Sequence, residues 1–287
     1  MKRFPITEKS SLTNIQYILR LFVVFAVIFL FGCSALEDKQ DKEADWSAKK
    51  FYDEAKAALD KENYEKAIKL YEKLEARYPF GLYAAQAQLD IAYAYYKFQE
   101  PDSAIAAIER FIKLHPQNPH IDYAYYLKGL VNYNRGIGFI GRFIPTDTTQ
   151  RDPGPANEAY RDFSELTKRF PQSRYFEEAK QRMIALQNNL AMYEIHVARY
   201  YFKMGAYVAT INRANGVLEK YQRTEAIPLA LKIMEQAYTN LGMTDLARDA
   251  ARVYAFNYNE DAPTPEDKAL KNRSTAQKIW DFIGLDR

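Results

Sequence analysis

Three features of this chain have residue types and spacing that could do chemistry: a glycine-rich string, three histidines and a single thiol. Gly136-Ile137-Gly138-Phe139-Ile140-Gly141 matches G-x-G-x-x-G, the spacing that lets backbone amides approach a pyrophosphate. That chemistry needs a strand before the string and a helix opening within it. Here a helical pattern precedes it and Arg142-Phe143-Ile144-Pro145 follows, so it reads as an insertion with no nucleotide. Its apolar residues Ile137, Phe139, Ile140, Phe143 and Ile144 either fold back on the helices or dock a partner, and fold-back is the preferred reading. His115 and His120 flank Pro116 and Pro119. A zinc site would need further ligands at matched spacing, and there is no second Cys, so both read as turn residues. His196 reads as a half-buried packing residue of a long helix. No nucleophile elbow, His-Glu-x-x-His or Walker loop is present, so no catalytic residue, metal or cofactor is expected.

The thiol, Cys33, sits in a context made for covalent modification. A basic stretch with Lys2, Arg3, Lys9 and Arg20 leads into eleven apolar residues, Leu21 to Phe31. That length suits a secretory leader, whereas a membrane-spanning helix needs about 20 residues. The run closes on Leu30-Phe31-Gly32-Cys33, which resembles the bacterial lipobox. Gly32 supplies the small residue before the cut, and Phe31 departs from the small residue usual in its slot. The competing reading is an uncleaved anchor with an incidental Cys. In an oxidising compartment a lone thiol has no internal partner and is exposed to oxidation. Thioether lipidation of Cys33 removes that problem, so covalent lipid is the one added group expected. Ser34, by analogy with enterobacterial lipoproteins, directs the chain to the outer membrane. The leader holds four of the 40 basic residues and one of the 37 acidic ones. The mature chain is therefore near neutral, which gives no support to nucleic acid as a partner.

The elements that position everything else are helices. Residues 1–32 are the cleaved leader, and 33–45 are a short charged tether. At ~3.3 Å per residue that tether reaches at most about 40 Å. From Trp46 apolar residues recur at spacings of three and four, and no alternating Val/Ile/Thr run suggests a sheet. A repeat organises 46–259. Ala67, Tyr71, Leu74 and Pro79 recur as Ala104, Ile108, Phe111 and Pro116, a shift of 37 residues. Ala159, Phe163, Leu166 and Pro171 form a third copy, with Gly129 as the small residue of its first helix. Thr210, Ala214 and Val217 form a fourth, and Ala247, Ala251 and Tyr254 a fifth. Gln222 and Asn259 replace the closing Pro in the last two. The pattern resembles the tetratricopeptide (TPR) repeat, in which small residues let antiparallel helices approach and Pro ends the second helix. The expected fold is all-α, a right-handed TPR solenoid of about five helix pairs. An insertion falls near 135–155, and a lengthened helix runs from about Ser173 to Met204. Residues 260–287 form a polar tail with a short helix ending near Trp280 to Ile283.

In such repeats the first helix of each pair lines a concave groove. The groove offsets select Tyr52 and Lys56 in unit one, with Asp60 beside them. They select Tyr93, Tyr96 and Lys97 in unit two, and Tyr123, Tyr126 and Tyr133 in unit three. Tyr joins a broad apolar face to a polar tip, which suits peptide binding, and the lysines could meet a carboxylate. The other reading is that some of these rings fill the seam between neighbouring helices.

Specific strings narrow the reading further. They are Arg77-Tyr78-Pro79-Phe80-Gly81, Gln88 to Lys97, Ile108 to Pro116, Pro119 to Leu130, Arg151-Asp152-Pro153, Ala159 to Phe163, Ala206 to Ala209, and Asn212-Arg213. Across about Lys50 to Ala255 the chain resembles the BamD family, lipoproteins of the bacterial outer-membrane β-barrel assembly machinery. The resemblance implies a non-catalytic scaffold and receptor, lipid-anchored on the periplasmic face of the outer membrane. It implies as partners a BamA-like barrel subunit, accessory Bam lipoproteins and unfolded outer-membrane proteins carrying a C-terminal signal. It implies Arg213 as the contact to the barrel subunit, through a charge-assisted hydrogen bond to a carboxylate. The readings set against it are a TPR lipoprotein adaptor for cell division or envelope polysaccharide, and an activator of periplasmic hydrolases.

Overall fold

The structure, a computed structural model, describes residues 43–135 and 148–258. The leader, Cys33, the glycine-rich string 136–141 with Phe143 and Ile144, and the tail beyond Tyr258 lie outside the described residues. The chain divides into a unit spanning Met1–Ser47 and a second spanning Ala48–Arg287. Of the first, residues 43–47 are described, and the amide of Trp46 donates to the carbonyl of Glu43 at 3.1 Å.

Among the described residues the second unit is all-helical, with ten α-helices and one short 3₁₀ turn. They form five antiparallel pairs: α1 (Ala48–Asp60) with α2 (Tyr64–Arg77), α3 (Ala84–Lys97) with α4 (Pro101–Leu114), α5 (Ile121–Arg135) with α6 (Gly154–Arg169), α7 (Phe176–Lys203) with α8 (Tyr207–Lys220), and α9 (Ile227–Asn240) with α10 (Thr244–Asn257). Each helix packs on its successor along the chain, and α1 also touches α3, as α3 touches α5 and α7 touches α9. The first helices therefore stand side by side. The 3₁₀ turn, Thr148–Gln150, lies against α7, where the Thr149 hydroxyl is 2.8 Å from Nε2 of His196.

Two kinds of turn repeat, and each has a local cause. Between α1 and α2, α3 and α4, α7 and α8, and α9 and α10, the residue two before the second helix has positive φ: Glu62 (58°), Gln99 (67°), Gly205 (72°) and Gly242 (72°). In each the next amide bonds back five residues, as Asn63 does to Ala58 at 2.9 Å and Ala206 to Tyr201 at 3.0 Å. This is the Schellman closure of a helix, which favours glycine because it has no Cβ to clash in the left-handed conformation. The second helices end differently. The amides of Tyr78, His115, Phe170 and Tyr221 bond to the carbonyls of Leu74, Phe111, Leu166 and Val217 at 2.8–2.9 Å. Pro79, Pro116 and Pro171 then stop the helix, since Pro has no N–H to continue it. In the fourth pair Gln222 occupies that place, and the helix still ends at Lys220. Starts are fixed as economically: Asn63 caps α2 by accepting from the amide of Lys66 at 3.2 Å, and Pro101 opens α4.

The repeat signature is the core. Ala67, Tyr71 and Leu74, Ala104, Ile108 and Phe111, Ala159, Phe163 and Leu166, and Thr210, Ala214 and Val217 are all fully buried, at 0% exposure. Thr210 pairs its hydroxyl with the Ala206 carbonyl at 3.2 Å, which satisfies a polar group in the small-residue position. In the fifth pair the signature weakens: Ala247 is buried, but Ala251 and Tyr254 are only half-buried. Among the described glycines the tightest contact is at Gly129 on α5, where a Cβ would stand 2.5 Å from the Phe163 ring of α6. Gly129→Val should therefore overpack this contact and lower stability by roughly 1–3 kcal/mol in denaturant titration. Adding Phe163→Leu should recover part of that loss. Additive losses would show that the two side chains do not compete for one space.

Candidate functional site

The first helices place most of the expected groove residues along one line, and that line is a hydrogen-bonded seam. Tyr52 on α1 and Tyr71 on α2 both donate to Oδ2 of Asp90 on α3, at 3.0 and 3.2 Å, while Gln86 donates to Oδ1 at 2.9 Å. Burial, and then the carboxylate of Asp90, push both phenols well above the usual tyrosine range, so they stay protonated donors at neutral pH. On α3, Tyr93 and Tyr96 lie 6.3 Å apart, and Tyr96 accepts from Nδ2 of Asn134 on α5 at 2.6 Å. Burial, and then the neighbouring Tyr93, Tyr175 and Asp90, push the Tyr123 phenol up, and its ring lies 5.6 Å from that of Tyr175 in unit four. Tyr133 packs on Phe163 and lies under the Arg182 guanidinium at 4.9 Å.

Two of the expected groove tyrosines belong to the seam. Tyr126 is 7% exposed, stacked at 4.4 Å on Tyr175, and its hydroxyl donates to Glu178. Tyr52 is stacked at 5.2 Å on Tyr83. The reason is periodic. Tyr83 and Tyr175 each stand four residues after a helix-stopping Pro, at the entry of α3 and α7, and each stacks on the tyrosine of the preceding first helix. Tyr126 is thus corrected from groove wall to seam. The expected groove residues Tyr93, Tyr96, Tyr123 and Tyr133 are half-buried. The lysines are placed less centrally. Lys56 pairs with Asp60 at 3.2 Å within α1, and Lys97 lies 5.8 Å from the Tyr64 ring of α2.

Partners of the groove that spacing did not select are Asp90, Tyr175, Glu178 and Arg182. Arg182 donates to Glu178 at 2.7 Å, and the hydroxyl of Tyr126 and this guanidinium together hold the Glu178 carboxyl below its usual range. Tyr83 and Tyr175 could have been found by aligning the turns on Pro79 and Pro171. The same alignment puts Arg182 at the position Asp90 holds in α3, with the opposite charge. The expected partner contact, Arg213 on α8, donates to Oε2 of Glu194 on α7 at 3.1 Å and remains half-exposed. Tyr201 lies within hydrogen-bonding reach of the same guanidinium. His115 sits 3.0 Å from Oε1 of Gln88 and holds its turn against α3, and His120 lies in the same turn region. Among the described residues no group of three or more His, Cys, Asp or Glu side chains is placed to hold a metal. No helix among them is long and apolar enough to cross a membrane.

The five helix pairs and their shared signature define a helical-repeat protein of the tetratricopeptide type. The sequence profile of the family described as "YfiO: Outer membrane lipoprotein" matches residues 44–253. Relatives called "Outer membrane protein assembly factor BamD" are similar over nearly their whole length. That of Neisseria meningitidis serogroup A is 46% identical over 242 residues, 83% of this chain and 90% of the relative. That of Vibrio cholerae is 37% identical over 234 residues, 82% and 96% of the two chains. That of Xylella fastidiosa (strain 9a5c) is 35% identical over 279 residues, 97% and 94%. The chain belongs to the BamD family.

The stacked pair makes a direct claim about the seam. Tyr126→Leu and Tyr175→Leu, singly and together, should give a coupling energy of about 0.5–1.5 kcal/mol in a thermal double-mutant cycle. Zero coupling would show that the rings meet without contributing to the junction.

Proposed function

We propose that this chain is a non-catalytic scaffold and receptor in outer-membrane protein assembly. It is held by lipid on Cys33 at the periplasmic face of the outer membrane. It binds a BamA-like barrel subunit through the surface around Arg213, and C-terminal signals of unfolded outer-membrane proteins along the tyrosines of the first helices. The observation that carries this reading is membership of the BamD family across 44–253, the region that holds nearly all the helix pairs.

Physical chemistry supports each half. A guanidinium already oriented by Glu194 loses little freedom when a partner carboxylate approaches, and a charge-assisted bond there discriminates strongly against a missing carboxylate. Tyr93 and Tyr96 present ring faces whose positions are set by packing, so an aromatic chain end docks on a surface that needs little ordering.

Pull-down from detergent-solubilised outer membranes tests the scaffold. The wild type should recover a BamA-like barrel subunit. Arg213→Gln, chosen because it leaves no like charge against Glu194, should reduce recovery at least tenfold with unchanged helicity. Full recovery by the variant would remove Arg213 from the contact. Recovery of partners without any such barrel subunit would overturn the assembly reading itself.

A further inference from the structure

The first helices carry the groove on past the tyrosines, and its chemistry changes there. Set on the left-handed turn residues, Tyr93, Tyr96 and Lys97 before Gln99 correspond to Arg199, Phe202 and Lys203 before Gly205. In the fifth unit Gln236 takes the place of Tyr93, and Lys232 takes the place that Tyr52 holds in the first. The groove register is thus kept into units four and five, while phenols give way to cations. There α7 and α9 touch side by side, and a groove of about 310 Å³ lies between them. Phe202, Leu229 and Ile233 line it with carbon, and Arg199, Lys203 and Lys232 line it with positive charge.

Two other cations of the first helices are answered by carboxylates: Lys56 pairs with Asp60 at 3.2 Å and Arg182 with Glu178 at 2.7 Å. No acidic side chain lines this groove, and among the described residues neither Lys203 nor Lys232 has a carboxylate partner. Lys232 instead lies 4.8 Å from the Tyr254 ring of α10, which positions the ammonium without neutralising it. The floor is fixed as well. Leu229 and Ile233 are 6% and 7% exposed and belong to the core that joins units four and five, with Phe202 packed against it. Unanswered cations above a fixed apolar floor select a ligand that brings both negative charge and carbon. We propose that units four and five form a second peptide subsite, which takes a segment carrying carboxylates on either side of an apolar side chain.

The place of the groove fits an extended chain. Concave solenoid surfaces bind such chains because every unit presents one stripe of side chains along the same line. Lys203 stands on α7 and Lys232 on α9, so a chain laid between the two helices meets a cation from each of them. A small anion would gain nothing from Phe202 and Leu229, and a purely apolar chain would leave both ammonium groups unanswered. The subsite is separate from the other two surfaces. Arg213 lies on α8 and pairs with Glu194, and neither lines this groove. The inference therefore holds whatever Arg213 contacts and whatever docks on Tyr93 and Tyr96.

The probe is the hexapeptide Asp-Glu-Leu-Phe-Glu-Asp, with a neutral dye on its N-terminus and an amide on its C-terminus. Its two controls are Asn-Gln-Leu-Phe-Gln-Asn, which lacks the carboxylates, and Asp-Glu-Gly-Gly-Glu-Asp, which lacks the apolar side chains. In fluorescence anisotropy with the full-length lipidated protein in neutral detergent, the probe should bind at least tenfold more tightly than the first control and several-fold more tightly than the second. Lys203→Gln with Lys232→Gln should weaken the probe at least tenfold with helicity unchanged. Lys168→Gln with Lys220→Gln, the same loss of charge at exposed positions of α6 and α8, should weaken it less than about twofold. Equal affinity for the probe and either control would overturn the subsite, and so would equal weakening by the two lysine variants, which would leave only net charge. Absence of binding would overturn it too, and a dimer that Lys203→Gln with Lys232→Gln disperses would then assign the groove to a second copy of the chain.

Discussion

Two helices can lie against each other along their length only where neither puts a bulky side chain between them. Every second helix here meets that condition with a small residue: Ala67, Ala104, Ala159, Thr210 or Ala247. In the first three units larger side chains four and seven residues on then fill the space left; in the fourth Ala214 and Val217 stand there, and all twelve residues are fully buried. The third pair pushes the principle furthest, with Gly129 opening just enough room for Phe163. Close approach within pairs is what lets the first helices of neighbouring units come into contact, and that contact creates the tyrosine surface.

The surface is organised by the same repetition. Where a unit begins with a tyrosine at its entry, as at Tyr83 and Tyr175, that ring stacks on the first helix of the unit before. Phenols held protonated by burial donate to Asp90 and Glu178, so each carboxylate introduced into the seam is matched. The result is a line of rings in which some members hold repeats together and others remain half-exposed. Tyr93, Tyr96, Tyr123 and Tyr133 are among those left half-exposed.

The helix pairs were legible in the sequence because their cause is local and periodic. Small residue, spacing and Pro announce each second helix, and Gly205 and Gly242 mark two of the turns. Glu62 and Gln99 adopt the same left-handed turn without a glycine, and only alignment with the other units would reveal it. The groove was legible by offset but not by role. Offsets say which way a residue faces, not what a neighbouring unit places on top of it, so they select Tyr126 for the wall although Tyr175 covers it. Arg182 aligns with Asp90 when the units are set on Pro171 and Pro79, but alignment gives no partner, and its ion pair with Glu178 is seen only in the folded helix. Arg213 came from a motif, and its pairing with Glu194 depends on a neighbouring helix that no motif describes.

The central claim is that the half-exposed rings of the first helices form the peptide-binding surface, while the stacked rings beside them do not. Site-specific photo-crosslinking separates the two directly. A photoactivatable phenylalanine at Tyr93 or Tyr96 should capture a peptide ending in an aromatic residue, and the same group at the covered Tyr126 should not. Equal capture at an exposed second-helix position such as Lys69, or none at Tyr93 and Tyr96, would contradict it.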